Sequence, residues 1–259
     1  EGKVNMTAKI QGLLKVNVQL LDAINNIPDV MFATIHGNQV VAKDQLVAGT
    51  RVIPLIVPEE CVRQVDDICY GQTLIDITPL RSANVGLIVT GSEVYDGLIQ
   101  DAFSPVVRYK FEQLGSRIMQ QVLVSDDLDK TVEAIWSLIN QGADFIALTG
   151  GMSVDPDDQT PSAIKAVGAD VVTYGAPVLP GAMFMFAWLR GVPIIGLPGC
   201  VMYSKASIFD LIVPRLLAGE EMTRRDINSL GHGGMCLNCS SCRYPLCPFG
   251  KGTHSLFQS

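Results

Sequence analysis

The sequence predicts a doubly wound α/β protein with a mostly parallel sheet, a small N-terminal α+β domain ahead of it and a cysteine-rich C-terminal tail behind it. Three observations lead there. From residue 84 onward, short apolar runs alternate with amphipathic stretches, the order that builds a parallel sheet covered by helices. Runs such as "VGLIVTG" and "DFIALTGG" are continuously apolar, as strands buried on both faces must be. Three of these runs end in glycine turns, and in a parallel sheet such turns share the carboxyl edge, where ligands bind. The expected divisions are 1–80, 81–222 and 223–259.

Composition narrows the function classes. An apolar content of 48% over 259 residues is ample for a core. The net charge is −7 and no run of Lys or Arg could track a phosphate backbone, so nucleic acid is not an expected partner. The longest clean apolar run, Ala182 to Leu189, is far short of the roughly 20 residues that span a bilayer, so no membrane partner is expected. Four of the seven cysteines crowd into the last 24 residues, as metal ligands in a reducing compartment do, and a cytoplasmic location is expected.

Within the first domain, "KVNMTAKI" alternates as a strand does, and "LLKVNVQLLDAINNI" has apolar residues close to helical spacing. Two short strands flanking His36-Gly37-Asn38 suggest a hairpin. "TRVIPLIV" reads as a strand, Pro58 to Tyr70 as a helix and "TLIDIT" as a last strand. On that helix Cys61 and Cys69 are expected in the core.

In the second domain "VGLIVTG" is followed by a helix over Pro105 to Leu114 and the strand "RIMQQVLV". The next helix takes its cap among Ser125 to Asp127 and stops at Gly142. Then come strand "DFIALTGG", helix "TPSAIKAVG", strand "DVVTYG", strand "GVPIIGLPG" and a closing helix "VMYSKASIFDLIVPRLLAG". The stripe Met183, Phe184, Met185, Phe186 and Trp188 reads as core or subunit interface.

The three glycine loops carry the chemistry. They are Thr90-Gly91-Ser92-Glu93, Thr149-Gly150-Gly151-Met152-Ser153 and Pro198-Gly199-Cys200, the last followed by Lys205. Glycine backbone can approach an anion closely, and the helix N-termini that follow favour negative charge. Beside the second loop stand Asp155, Asp157 and Asp158, followed by Thr160 and Pro161. One reading is a solvated turn, with Asp157 capping the next helix and Asp155 merely preceding Pro156. The other is a cleft in which glycine backbone receives phosphate and carboxylates hold a cation. Lys205 is either a charge partner for phosphate or a solvated helix residue, and Cys200 either a ligand-loop thiol or a small apolar filler.

The run T-G-G-x-S-x-x-P-x-D-x-T-P over 149 to 161, with "TGSE" at 90 to 93 and "LPG" at 197 to 199, resembles the molybdenum-cofactor biosynthesis domain. That domain is shared by molybdopterin adenylyltransferases, molybdopterin molybdotransferases and the competence-damage-inducible family. The likeness covers roughly residues 84 to 219. The last loop departs from the family's usual P-G-N-P or P-G-R-P, because Cys200 and Val201 follow its glycine.

The resemblance implies that Asp158 supports Mg²⁺ and phosphate-linked chemistry, with Asp157, Glu93 and Asp96 as co-ligands or supporting groups. Gly150, Gly151 and Ser153 would donate to phosphate or pterin, with Thr90, Gly91, Ser92, Thr149, Thr160, Pro198, Gly199 and Lys205 completing the substrate site. Phosphoryl and adenylyl transfer depend on positioning and charge neutralisation, and Mg²⁺ takes one or two carboxylates while keeping waters and substrate oxygens.

The implied function is Mg-dependent transfer of an adenylyl group or molybdate onto molybdopterin, with ATP and molybdate as further ligands. A nucleotide or pterin hydrolase of the competence-damage-inducible type and a non-catalytic cofactor carrier or sensor are the alternatives. A homo-oligomer is implied, a trimer ahead of a dimer, and further sequence is expected before Glu1.

The tail adds a separate signal. Cys236, Cys239, Cys242 and Cys247 form C-x2-C-x2-C-x4-C followed by Pro248. This approaches the C-x2-C-x2-C-x3-C-P run of bacterial ferredoxins, and four thiolates equally suit tetrahedral zinc. An iron–sulfur cluster or Zn²⁺ is therefore expected there, in a reducing compartment, with an unligated tail as the remaining alternative.

Overall fold

The first eighty residues carry two three-stranded antiparallel sheets in the computed structural model, which describes residues 2–54, 56–152 and 158–252. Strand β1 (Lys3–Thr7) is followed by β2 (Gly12–Val16), helix α1 (Val18–Asn25), β3 (Val30–Thr34), β4 (Gln39–Val41), β5 (Leu46–Val52), helix α2 (Glu59–Cys69) and β6 (Ile75–Thr78). The strand orders are β1-β5-β3 and β4-β2-β6. A small core of Ala8, Leu14, Val41 and Val47 lies between them, with Val16, Ile35 and Ile77 packed against it.

Three expectations are corrected here. The helical spacing from Leu13 onward begins too early: Leu13 and Leu14 are fully buried in β2, the middle strand of its sheet. Helix α1 starts only after Asn17, whose side chain accepts the Leu20 N–H at 3.0 Å. The strands around His36-Gly37-Asn38 do not pair as a hairpin, because β3 bonds to β5 while β4 bonds to β2. Asn38, at φ 56°, turns the chain from one sheet to the other and donates its N–H to Leu14 O. Helix α2 buries none of its residues, so Cys61 and Cys69 are half-buried rather than core.

Residues Arg81–Ser259 form the second unit, so the cysteine tail belongs to the same body as the α/β sheet. Its elements are β7 (Asn84–Thr90), α3 (Ser92–Tyr95), α4 (Phe103–Gln113), β8 (Arg117–Val124), α5 (Leu128–Asn140), β9 (Phe145–Thr149), α6 (Thr160–Ala166), β10 (Asp170–Tyr174), β11 (Met185–Leu189), β12 (Val192–Leu197), α7 (Cys200–Tyr203), α8 (Ile208–Leu217) and α9 (Arg224–Asn228). The sheet order is β10-β11-β12-β9-β7-β8. Strands β12, β9, β7 and β8 are parallel, whereas β11 runs antiparallel between β10 and β12.

The period-two alternation of β9 explains the double covering. Ile146 and Leu148 join Ile135 and Leu138 of α5 and Ile164 of α6 in one core. Phe145 points to the other face, where it meets Phe111 of α4 edge-on at 5.2 Å, and Phe111 meets Phe209 of α8 at 5.0 Å. Gly86 lets α5 come close: a Cβ there would lie 2.9 Å from both Ile146 and Leu138.

The apolar stripe at 183 to 188 is largely strand β11, with Phe184, Met185 and Phe186 fully buried. Its hairpin to β12 turns through Arg190 and Gly191, at φ 51° and 81°. The single closing helix expected after Cys200 is two helices. Ser207 and Asp210 form a capping box that starts α8 afresh, which ends α7 after one turn.

Candidate functional site

Strands β12, β9 and β7 are neighbours running in one direction, and their last residues are level: Thr149 stands opposite Val89 on one side and Leu197 on the other. The three glycine loops therefore emerge side by side at the carboxyl edge of the sheet. The structure thus brings together residues 90–93, 149–151 and 198–199, which are far apart in sequence.

Three threonines brace the centre of this edge. Thr160 donates to Gly150 O at 2.9 Å, and its oxygen lies 3.0 Å from the Thr90 hydroxyl. Thr90 also reaches Thr149 O at 3.3 Å. Exposure of Thr90, Thr149 and Thr160 is 6%, 0% and 1%, so their hydroxyls are committed to the protein itself. Their hydrogen bonds shape the loop from beneath. Gly150 and Gly151 have φ of 84° and 53°, and a Cβ on Gly150 would fall 2.1 Å from Thr90 O. Glycine is required at 150 by conformation and by space.

The first loop is held by a residue that the sequence reading noted only within a capping segment. Asp126 accepts from Ser92 N at 2.8 Å and from Ser92 Oγ at 3.0 Å. Gly91 N–H donates to Val124 O, so neither Gly91 nor Ser92 offers its N–H outward. The only signal that could have found Asp126 is its place just after the parallel neighbour of β7. Replacing Asp126 by Ala should destabilise the loop by about 1 kcal/mol. Hydrogen exchange should then show a faster Ser92 amide, and an unchanged rate would remove Asp126 from this role.

The third loop leans on the second. Gly196 leaves room for buried Met152, whose sulfur would lie 2.7 Å from a Cβ at 196. Pro198 is buried and Gly199 exposed. Burial pushes the Cys200 thiol above its ordinary pKa, which favours the neutral form and suits a filler rather than a thiolate ligand. Lys205 is exposed, and its carbonyl accepts from Lys110 Nζ at 3.1 Å. Helices α3 and α7 are single turns, so they add little dipole and an anion here would depend on loop N–H groups.

Of the acidic residues, Glu93 and Asp96 are exposed and Asp158 is half-buried with a bonding partner. Ser153 and Asp157 lie outside the described residues. Among the described residues no three His, Cys, Asp or Glu side chains are gathered closely enough to share one ion. The four tail cysteines, all of them described, therefore do not close on a single metal-sized point. The cysteines do come together in a broader sense: all four line one cavity of about 580 Å³, with Lys205 and Arg243 on the same wall. Another cavity, of about 830 Å³, opens at the opposite, amino-terminal edge beside Arg81, Asp144 and Arg190. No helix among the described residues is long and apolar enough to cross a membrane.

Known proteins are similar to parts of this chain. The molybdopterin molybdenumtransferase of Staphylococcus aureus (strain COL) is 29% identical over 137 residues, which cover 50% of this chain and 32% of that protein. The Staphylococcus epidermidis (strain ATCC 12228) protein of the same name is 26% identical over the same length. The chain thus spans about a third of the length of these curated relatives. Among solved structures, the tungsten cofactor synthesizing protein MoaB from Pyrococcus furiosus matches with a TM-score of 0.44 and 19% identity, covering 54% of this chain and 98% of that one. The molybdopterin biosynthesis MoeA protein from Pyrococcus horikosii matches with a TM-score of 0.43 and 15% identity, over 84% of this chain and 71% of that one. Residues 86–218 of the 259, which contain all three glycine loops, match the family described as "Probable molybdopterin binding domain", and the chain belongs to that family.

Proposed function

We propose that the carboxyl edge of β7, β9 and β12 binds molybdopterin and that the protein acts as a transferase in molybdenum-cofactor biosynthesis. The observation that carries this reading is the Gly150–Gly151 turn, braced from below by Thr90 and Thr160 and flanked on both sides by a second glycine loop. Bare backbone in a fixed curve is what a pterin phosphate requires, and membership of the family supports the assignment.

The finer mechanism is Mg²⁺-dependent transfer of an adenylyl group from ATP, or of molybdate, onto the pterin. Asp158, which follows the second loop in sequence, would serve the cation, since Mg²⁺ needs only one or two protein carboxylates. Asp157 and Glu93 would assist it, and Lys205 would offset phosphate charge. Gly199, exposed at the third loop, completes the ligand's surround. Exposed Val171 and Tyr174 on edge strand β10 suit a homo-oligomer; a trimer ahead of a dimer, and a cytoplasmic location, belong to the same proposal. The four tail thiols hold a metal of their own, iron–sulfur or zinc.

Calorimetric titration with molybdopterin, repeated with Mg²⁺-ATP, tests the reading. Binding followed by pyrophosphate release identifies adenylyl transfer, and binding without ATP turnover identifies molybdate insertion. Asp158→Asn should lower turnover by about 100-fold while leaving pterin affinity nearly intact. Absence of pterin binding by the unaltered protein would overturn the reading.

A further inference from the structure

We infer that the tail site takes a polynuclear iron–sulfur cluster rather than a single zinc ion, an inference that rests on the tail's being a thiolate metal site. The cavity's construction carries it. A Cys₄ zinc site draws four sulfurs to about 2.3 Å from one centre. Among the described residues no three ligating side chains converge in that way, yet Cys236, Cys239, Cys242 and Cys247 all face one space of about 580 Å³. Four thiols lining one such space, in a run close to that of bacterial ferredoxins, suit several irons bridged by sulfide. None of the four is in a disulfide, so all are available as thiolate donors.

The loop that bears them is pinned at both ends. Before it, Gly234 O accepts from Leu179 N and Cys236 N donates to Leu179 O, both at 2.8 Å. After it, Gly250 N donates to Gly233 O at 2.9 Å, which closes the run on itself and brings the last cysteine back towards the first. Within it, Tyr244 Oη donates to Asp210 O at 3.0 Å, and Phe249 is 3% exposed. Asn238, at φ 49°, turns the chain between Cys236 and Cys239.

The frame is therefore set by the protein, while Cys239 and Cys242 stay exposed at the rim, where iron and sulfide can enter. Arg243 lines the same cavity and offsets part of the net negative charge of a thiolate-bound cluster. Pro248 directly follows the fourth cysteine, as in the ferredoxin run. The wall formed by Tyr203, Ser204 and Lys205 is the segment that leads away from the third glycine loop, so the cluster would sit behind the pterin edge rather than on a detached appendage.

The test is anaerobic reconstitution of the full chain with equal parts of ferrous and ferric iron and with sulfide, and separately with zinc. Iron and acid-labile sulfide should each reach about four per chain, with a broad visible absorption that bleaches on reduction. Cys242→Ser should lose most of that absorption while keeping the melting temperature of the unreconstituted protein. Uptake of one zinc per chain with no iron and sulfide would overturn the cluster and leave the metal site standing. Failure to take up either would overturn both. Pterin titration of the same samples reads the cleft independently.

Discussion

Replacing Gly150 by Ala should cost about 2–5 kcal/mol and abolish tight pterin binding. Two separate costs add. An L-residue at φ 84° is in the left-handed region, at about 1–2 kcal/mol. The new methyl carbon would also stand 2.1 Å from the Thr90 carbonyl oxygen, a backbone atom that cannot swing aside, and overpacking of this kind costs about 1–3 kcal/mol. Relief would require β7 and β9 to part at their ends, which would break the contact between Thr90 and Thr160. Urea unfolding and molybdopterin titration on the same preparation check this. A loss below about 1 kcal/mol would mean that the loop is softer than its hydrogen bonds indicate.

Lys110→Met should be comparably damaging, at about 3–5 kcal/mol, because it would strand a largely buried carboxylate. Lys110 is 9% exposed, and its ammonium lies 2.8 Å from both oxygens of Asp210 and 5.5 Å from the centre of the Phe209 ring. It also donates to Lys205 O, which ties α4 to the segment before α8. Asp210 is at once the third residue of the α8 capping box, accepting from Ser207 N at 2.8 Å. The melting temperature should fall by roughly 10 °C. In the double variant Lys110→Met/Asp210→Asn much of the loss should return, since the buried charge is gone while an oxygen remains for the cap. If the double variant is no better than the single one, Lys110 acts by packing alone.

The α/β class, the strands of the second unit and the three glycine loops were legible because each depends on local pattern. A doubly covered strand must be apolar throughout, and a chain that leaves it sharply must use glycine. The role of the threonines was not legible. Thr90, Thr149 and Thr160 belong to three segments, and only the pairing of β7 with β9 puts the hydroxyls of Thr90 and Thr160 3.0 Å apart. The family resemblance implies ligand contacts at these positions, and burial makes them the brace under the loop.

The first unit shows the converse error. Leu13, Leu14, Val16 and Leu20 satisfy a helical period, but the first three lie on a strand whose two neighbours, β4 and β6, come from far along the chain. Local periodicity cannot register such partners.

By itself, then, the sequence determined the family, the parallel sheet and the four-cysteine run, since all three are written in consecutive residues. Only the tertiary structure decided that Asp126 anchors the first loop, that Lys110 and Asp210 are buried against each other, and that the cysteines surround a cavity instead of a point. Each of those depends on groups brought together by chain crossings, and their distances are set by packing rather than by spacing along the chain.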